Sequence, residues 1–388
     1  MSELPAPSAH ELELSAALAS LIHEEIAAAG GSVPFSRFME LCLYAPGMGY
    51  YSAGRRKFGP GGDFVTAPEI SPLFGRALAR ACAPLLASLG GGDMLEFGAG
   101  SGQLAIDLLG ELATLGCLPE RYLILERSAD LRLRQQQAIG RHLPQILDRV
   151  AWIDALPESG FRGVMLANEV LDAMSVERFQ WDGERASLFH VRREADGFAW
   201  QLQADTTDTT DPVTALLSGL DLAAGYESEI NTSLQPWLQA VSESLEQGLV
   251  LLIDYGYPQH EFFHPQRSSG TLMCHYRHHA HADPLIWPGL QDITAHVDFT
   301  AVAEAAVAAD LEVAGYTTQA WFLLDCGLEE LQQQSGPIES TDYLKAAQQT
   351  KTLLLPGEMG ERFKCIGLTR GVDMPLPGFR LQDQRERL

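Results

Sequence analysis

Short apolar runs that stop at a polar residue or a glycine recur along the chain. The clearest are Asp93 to Phe97, Tyr122 to Leu125, Gly163 to Ala167 and Leu249 to Ile253. Apolar residues at helical spacing follow the first two runs, over Gln103 to Leu115 and Leu131 to Ile139. Short buried strands that alternate with helices are typical of a parallel sheet with helices on both faces. The pattern predicts an α/β fold whose polar strand ends meet at one edge, where open sheets bind ligands.

The segments on either side of this alternation predict additions to the sheet. Apolar residues at helical spacing over 11–45, interrupted by Gly30-Gly31, predict two N-terminal helices. Helical spacing resumes over Ile70 to Leu89, after a long loop rich in glycine and proline. The tail from Lys351 to Arg370 predicts two strands joined by a turn.

A third addition lies within the sheet domain, where the regular alternation stops. Hairpin signals at Asp182-Gly183 and Asp196-Gly197 predict antiparallel strands and hence an inserted α+β subdomain. We therefore expect three parts: a helical extension over 1–60, a core over 61–175 and 246–388, and an insertion over 176–245.

Composition narrows the classes of function. The chain has 388 residues, and 51 Asp and Glu against 27 Lys and Arg give a net charge of -24, the wrong sign for a nucleic-acid backbone. Such a charge can instead steer a cationic ligand toward an acidic cleft. The six cysteines form no CxxC pair, which predicts reduced thiols. Without a signal or transit sequence, or a run of 18 apolar residues, we expect a cytoplasmic protein with no membrane span.

The first candidate site is the glycine turn in LEFGAGSGQL. Glu96 ends a strand, the turn contains Gly98, Gly100 and Gly102, and a helix begins at Gln103, so backbone N–H groups face whatever binds in the turn. Dinucleotide-binding turns need their third glycine at position 103, which disfavours NAD. The E-x-G-x-G-x-G spacing is the one used by S-adenosylmethionine-dependent methyltransferases. The alternative is an ordinary structural turn.

Glu126 ends the next predicted strand, 24 residues after Gly102. A carboxylate in that position can accept hydrogen bonds from both ribose hydroxyls of a nucleoside. The alternative is a surface ion pair with Arg127 or Arg132. Together the turn and the carboxylate favour a nucleoside cofactor.

The third predicted strand ends at Asn168, followed by Glu169 and Asp172. Beside the cofactor, an amide and two carboxylates could accept hydrogen bonds from a guanidinium or an amine. Methyl transfer needs alignment and removal of one proton, which positioned carboxylates can provide. The alternative is that Asp172 caps a helix and Glu169 faces water.

These blocks together resemble the MidA-like methyltransferases over about Phe38 to Arg370. The matching blocks are YAPGMGYY, GDFVTAPEISPLFG, LEFGAGSGQL, NEVLDAMSVERF, LLIDYGY and DITAHVDF. The resemblance implies a Rossmann-like class I methyltransferase sheet, S-adenosyl-L-methionine as cofactor, and dimethylation of an arginine in a protein substrate, possibly a respiratory complex subunit. It also implies that a loop with Asp63, Thr66 and Pro68 covers the cofactor. A small-molecule methyltransferase and a non-catalytic assembly factor remain alternatives.

Three further features could contribute to a site: His296, a histidine-rich run and a basic cluster. His296 could be a general base, a substrate contact or a structural group, with Asp298 capping the helix after it. The run CHYRHHAHAD, which starts at Cys274, predicts a loop rather than a metal site, and we expect no metal. The basic cluster at 55–57 could hold the cofactor carboxylate, although solvated surface charge is the more common role of such clusters.

Overall fold

A computed structural model describes residues 4–53, 66–195, 197–203 and 212–388. The predictions for Asp63, the basic cluster at 55–57 and the hairpin residue Asp196 lie outside the described residues. The helices of the described part are α1 (Ala9–Ala28), α2 (Phe35–Tyr44), α3 (Ala67–Ile70), α4 (Pro72–Ser88), α5 (Gln103–Thr114), α6 (Ala129–His142), α7 (Pro212–Leu217), α8 (Leu234–Ser244), α9 (Gln259–Phe262), α10 (Phe299–Ala308), α11 (Gln319–Asp325), α12 (Leu328–Gln333) and α13 (Thr341–Leu354). The strands are β1 (Ser32–Pro34), β2 (Asp93–Phe97), β3 (Tyr122–Leu125), β4 (Val150–Ile153), β5 (Phe161–Asn168), β6 (Glu177–Trp181), β7 (Ala186–Glu194), β8 (Gly197–Leu202), β9 (Tyr226–Ile230), β10 (Leu245–Tyr257), β11 (Met273–Tyr276), β12 (His279–His281), β13 (Asp292–Thr294), β14 (Val297–Asp298), β15 (Glu312–Thr318) and β16 (Phe363–Arg370).

The central sheet confirms the predicted α/β fold. Its main strand order is β15-β16-β10-β5-β2-β3-β4. The five strands from β10 to β4 are parallel, and β16 runs antiparallel to both β10 and β15. The carboxyl ends of β2, β3, β5 and β10 therefore lie along one edge, as the sequence predicts.

Successive residues of each central strand pack into different layers, because side chains alternate across a sheet. Met94 packs on one face with Leu108 of α5, whereas Leu95 packs on the other with Leu238 of α8. All five residues of β2 are buried. Helices on both faces thus hold the strand ends in fixed positions.

The two predicted N-terminal helices are present as α1 and α2. Ser8 caps α1 by accepting a hydrogen bond from the Glu11 backbone N–H, and the Glu11 side chain accepts one from Ser8 in return. After α1, Gly30 and Gly31 adopt positive φ angles of 86° and 117°. The short strand β1 then joins β7, so this extension is tied to a second sheet with main order β1-β7-β6-β9, to which β8 adds by pairing with β7.

The second sheet contains the antiparallel strands expected between 176 and 245. Helix α8, at the end of this segment, packs against the central sheet, where Leu238 and Val241 belong to the same buried cluster as Leu252. The division into three parts remains a prediction.

The predicted pair of strands in the tail is wrong in its first half. Residues up to Leu354 belong to α13, which begins after its cap Ser340, and only β16 is a strand. Ala346, Thr350 and Leu353 are the buried positions of α13, and their spacing is helical. The antiparallel partner of β16 is β15, which the sequence analysis did not identify.

The histidine-rich run is also not a loop. Residues 273–276 and 279–281 pair as the antiparallel strands β11 and β12. Within the described ranges, no group of three or more His, Cys, Asp or Glu side chains could hold a metal ion. Nor does any helix in the described ranges have the length and apolar character to cross a membrane.

Candidate functional site

The glycine turn joins β2 to α5 in the predicted way. Gly98, Gly100 and Gly102 have φ angles of 63°, 53° and 85°, a region that side chains other than glycine rarely adopt. A Cβ added at Gly98 would have no atom within 4 Å, so the Cα faces open space, whereas one at Gly102 would lie 3.4 Å from the Gln135 Cα. The turn therefore presents bare backbone to a ligand at Gly98.

A cavity of about 1290 Å³ lies at the carboxyl edge of the central sheet. It is wide enough for a nucleoside cofactor and an acceptor group together. The predicted site residues that line it are Thr66, Pro68, Glu96, Gly98, Gly100, Glu126, Asn168, Glu169, Asp172 and His296. Gly102 belongs to the turn but packs behind it against α6.

Glu126 is buried at the end of β3, with 7% of its surface exposed. One carboxylate oxygen accepts a hydrogen bond from the Ser128 backbone N–H at 2.9 Å, and the other from Gln135 Nε2 at 3.0 Å. Arg132 instead donates to the Glu126 carbonyl oxygen and to Asp154. The surface ion pair considered above is therefore not formed, and the carboxylate is held in one orientation beside the turn.

Glu96 lies directly behind the turn. Its carboxylate accepts a hydrogen bond from the Tyr122 hydroxyl at 2.7 Å, and only 3% of the residue is exposed. Burial and the nearby Glu126 charge raise the pKa of Glu96 to about 7. Both carboxyl groups line the cavity.

Replacing Glu126 with Gln is expected to weaken binding of S-adenosyl-homocysteine about tenfold, which corresponds to about 1.4 kcal/mol. The substitution keeps the volume of the side chain and removes an acceptor for ribose hydroxyls. Isothermal titration calorimetry measures the effect. Glu120→Gln is the matched control, because Glu120 is exposed just before the opposite end of the same strand. Equal affinity of both variants would contradict this role.

The other half of the cavity holds Asn168, the last residue of β5, and Glu169 and Asp172, which follow it. Glu169 has a φ of 54°, a strained backbone conformation for a residue with a side chain. Its Oε1 accepts from Asn168 Nδ2 at 3.2 Å and from the Ala67 backbone N–H at 3.4 Å. Asp172 Oδ2 accepts a hydrogen bond from the Tyr255 hydroxyl at 2.5 Å. Neither carboxylate simply faces water or caps a helix.

Burial dominates the electrostatics of this group. It raises the pKa of Glu169 to about 8, with a further contribution from the Asp172 charge. Burial also raises the pKa of Asp172 to about 6.

The Oδ1 atoms of Asn168 and Asp172 are buried and have no hydrogen-bond partner among the described residues. Such unsatisfied acceptors favour a ligand that brings N–H donors.

Several aromatic residues that the sequence analysis did not single out complete the cavity wall. The rings of Tyr44 and Tyr51 stack with centroids 5.5 Å apart. The Tyr51 hydroxyl donates to Asp292 Oδ1 at 2.9 Å, and the Tyr44 hydroxyl donates to the Ala173 carbonyl at 2.8 Å. Both tyrosines belong to the YAPGMGYY block, which was the available sequence signal. The wall therefore combines aromatic faces with carboxylates.

His296 lines the cavity beside the rings of Tyr255 and Tyr257, with centroids 5.2 Å and 5.3 Å away. Burial lowers its pKa to about 4, and the charges of Arg267 and Lys364 contribute in the same direction. The imidazole is therefore neutral near pH 7 and a weak base. Asp298 caps α10 as predicted, accepting from the backbone N–H groups of Thr300 and Ala301.

Two solved structures are highly similar to this chain. A protein of Burkholderia thailandensis crystallised with S-adenosyl-homocysteine is 44% identical, with a TM-score of 0.95 over 100% of both chains. A native crystal structure from the same organism is 43% identical, with a TM-score of 0.93 over 100% of both chains. S-adenosyl-L-methionine is the cofactor of this chain, and the open backbone at Gly98 and the fixed Glu126 carboxylate fit its nucleoside.

Curated relatives and a family model agree on the reaction class. Relatives named protein arginine methyltransferase NDUFAF7, mitochondrial, or its homolog, include one from Drosophila melanogaster, 28% identical over 88% of this chain and 82% of its own length. The human one is 26% identical over 92% of this chain and 82% of its own. The family model for S-adenosyl-L-methionine-dependent methyltransferases matches residues 77–317, more than half of the chain. The chain therefore belongs to this methyltransferase family.

Proposed function

We propose that this protein transfers a methyl group from S-adenosyl-L-methionine to an arginine side chain of a protein substrate. The observation that carries the proposal is the group of carboxylates at the acceptor half of the cavity, formed by the half-buried Glu169 and the buried Asp172 and Asp292. The names of the curated relatives support the same acceptor. A subunit of a respiratory complex is the first substrate to test, since the MidA-like resemblance implies it.

A guanidinium suits this group better than a neutral acceptor does. Burial is the main reason that the pKa values of Glu169 and Asp172 are raised, and the charge of Asp172 adds to the shift of Glu169. A bound cation favours their ionised forms and supplies N–H donors to Asn168 Oδ1 and Asp172 Oδ1. The tyrosine rings of the wall offer the faces on which a planar guanidinium stacks.

The cofactor, when bound, supplies an activated methyl group on its sulfonium. Glu169 and Asp172 would orient the guanidinium so that one terminal nitrogen points toward that methyl carbon. The nitrogen forms its new bond as the carbon–sulfur bond breaks, and S-adenosyl-homocysteine leaves. The proton released by the methylated nitrogen passes to the Glu169 carboxylate, whose raised pKa makes it a better base than an exposed glutamate.

The direct test uses cofactor with an isotopically labelled methyl group and solubilised respiratory membranes. Label recovered in arginine after acid hydrolysis supports the proposal. If label is recovered only in molecules that pass a dialysis membrane, the protein is instead a small-molecule methyltransferase. Protein that binds S-adenosyl-homocysteine yet transfers no label would favour a non-catalytic role for the fold.

The rate of transfer should depend on pH through the two acceptor-side carboxylates. Because the ionised forms bind the cation, kcat/KM for the acceptor should increase as the pH rises through about 6 to about 8. The acid limb of kcat should lie at lower pH than that of kcat/KM, since a bound guanidinium stabilises both ionised carboxylates. Initial rates at saturating cofactor measure both limbs. A profile that is flat over this range would contradict the assignment.

A further inference from the structure

Asp254 is a buried carboxylate directly behind the acceptor-side group, and the mechanism above does not use it. The residue lies in β10 and has 0% of its surface exposed. Burial without a compensating cation is costly for a carboxylate, so its hydrogen bonds matter.

One oxygen of Asp254 accepts hydrogen bonds from three successive backbone N–H groups of the turn that carries the acceptor-side carboxylates. Oδ2 accepts from Val170 at 3.1 Å, from Leu171 at 2.9 Å and from Asp172 at 3.2 Å. The other oxygen, Oδ1, accepts from the Tyr255 backbone N–H at 2.9 Å. Both oxygens therefore face donors, an arrangement that requires a carboxylate rather than an amide.

The same turn needs such an anchor. The positive φ of Glu169 costs free energy unless the surrounding structure holds the turn in place. A backbone hydrogen bond from the Glu169 N–H to the Ile253 carbonyl, at 2.9 Å, adds to the Asp254 contacts. The turn therefore donates four consecutive backbone N–H groups, those of residues 169 to 172, to acceptors on β10.

We infer that Asp254 is a positioning residue for the acceptor, which fixes Glu169 and Asp172 in the geometry that holds the guanidinium. This inference rests on the proposed arginine acceptor. Asp254 does not line the cavity. It acts through the turn on one side and through Tyr255, which bonds Asp172, on the other.

Asp254 interacts electrostatically with the carboxyl groups that it positions. Burial and the charges of Asp172 and Glu169 raise the pKa of Asp254 well above its ordinary value, so its role rests on its hydrogen bonds rather than on a charge. The other titratable or charged groups around this point are Tyr255 on β10, Lys364 opposite Asp254 on β16, Asp292 on β13, Tyr44 on α2, Tyr51 after it, and His296 before β14. A change at Asp254 leaves all of them in place.

The test compares Asp254→Asn with the wild-type protein on the labelled arginine substrate. We expect kcat/KM for the acceptor to fall about tenfold to a hundredfold, because the amide NH₂ of Asn must then face either the three N–H groups of the turn or that of Tyr255. KM for the acceptor should rise, and affinity for S-adenosyl-homocysteine should stay unchanged. A purely structural role would lower the melting temperature and the active fraction but would leave KM for the acceptor unchanged.

Two further variants keep the outcome decisive. Asp93→Asn is the matched control, since Asp93 is a buried carboxylate that accepts the Arg121 backbone N–H at the opposite edge of the sheet. Its KM for the acceptor should match that of the wild type. If Asp254→Asn does not fold, Asp254→Glu keeps a carboxyl group and displaces the turn, so KM for the acceptor should rise in that variant too.

The possible failures are distinguishable. A wild-type protein that labels no arginine would overturn the proposed function. A wild-type protein that labels arginine while Asp254→Asn keeps the wild-type rate and KM for the acceptor would overturn the positioning role alone. A wild-type KM for the acceptor in Asp254→Glu would also overturn it.

Discussion

The Glu169→Gln variant should lose methyl transfer by about 100-fold to 1000-fold in kcat, while it binds S-adenosyl-homocysteine as well as the wild type does. Gln keeps the volume of the side chain and can still accept from Asn168, but it can neither pair with a guanidinium nor take up its proton. The labelled-methyl assay measures kcat, and calorimetry measures cofactor affinity. The loss should appear in the reaction and not in cofactor binding.

Glu177→Gln is the matched control for this variant. Glu177 is a partly buried carboxylate in β6 whose pKa is raised by burial, and it accepts a hydrogen bond from Ser36 away from the cavity. Its activity should equal that of the wild type. Full activity of Glu169→Gln, or an equal loss in both variants, would rule out Glu169 as the acceptor-side base.

The Gly98→Val variant should bind S-adenosyl-homocysteine at least about 100-fold more weakly, a loss of about 2.7 kcal/mol. Its branched side chain would occupy the open space that the bare backbone of the turn presents to the cofactor. Calorimetry measures the loss, and thermal unfolding separates it from a loss of stability.

Gly116→Val carries the same backbone penalty at another position. Gly116 has a φ of 69°, close to the 63° of Gly98, and a Cβ there also has no atom within 4 Å, but it follows α5 outside the cavity. Both variants should lose similar stability, because a left-handed conformation costs a side-chain-bearing residue about 1–2 kcal/mol. Only Gly98→Val should lose cofactor affinity. Normal affinity in Gly98→Val would remove the glycine turn from the cofactor site.

The central strands could be predicted because each is short, apolar and ended by a polar residue. The strand β4 was missed, since Val150 is its one fully buried residue and the apolar signal is weak. The strand β15 was missed because alanine and glycine occupy its centre. The apolar end of α13 was assigned to a strand because three consecutive leucines have no helical period of their own.

The cofactor half of the cavity follows a local pattern, since the glycine turn and Glu126 lie within 31 residues of Glu96 along the chain. The acceptor half depends on contacts between distant segments. Tyr51 and Asp292 are separated by 241 positions, and Asp254 lies 82 positions from Asp172. Gln135, which holds Glu126, lies on a helix face with no motif to mark it. Such pairings become visible only when the sheet brings the strand ends together.

The most direct test of arginine methylation compares the proteome of the host cell with and without this protein by mass spectrometry. The chemistry of the acceptor half predicts at least one protein whose arginine methylation disappears on deletion. The modification should return with the wild-type gene and with Glu177→Gln, and should not return with Glu169→Gln. An unchanged set of methylated arginines, together with a small metabolite that loses its methyl group on deletion, would contradict the account.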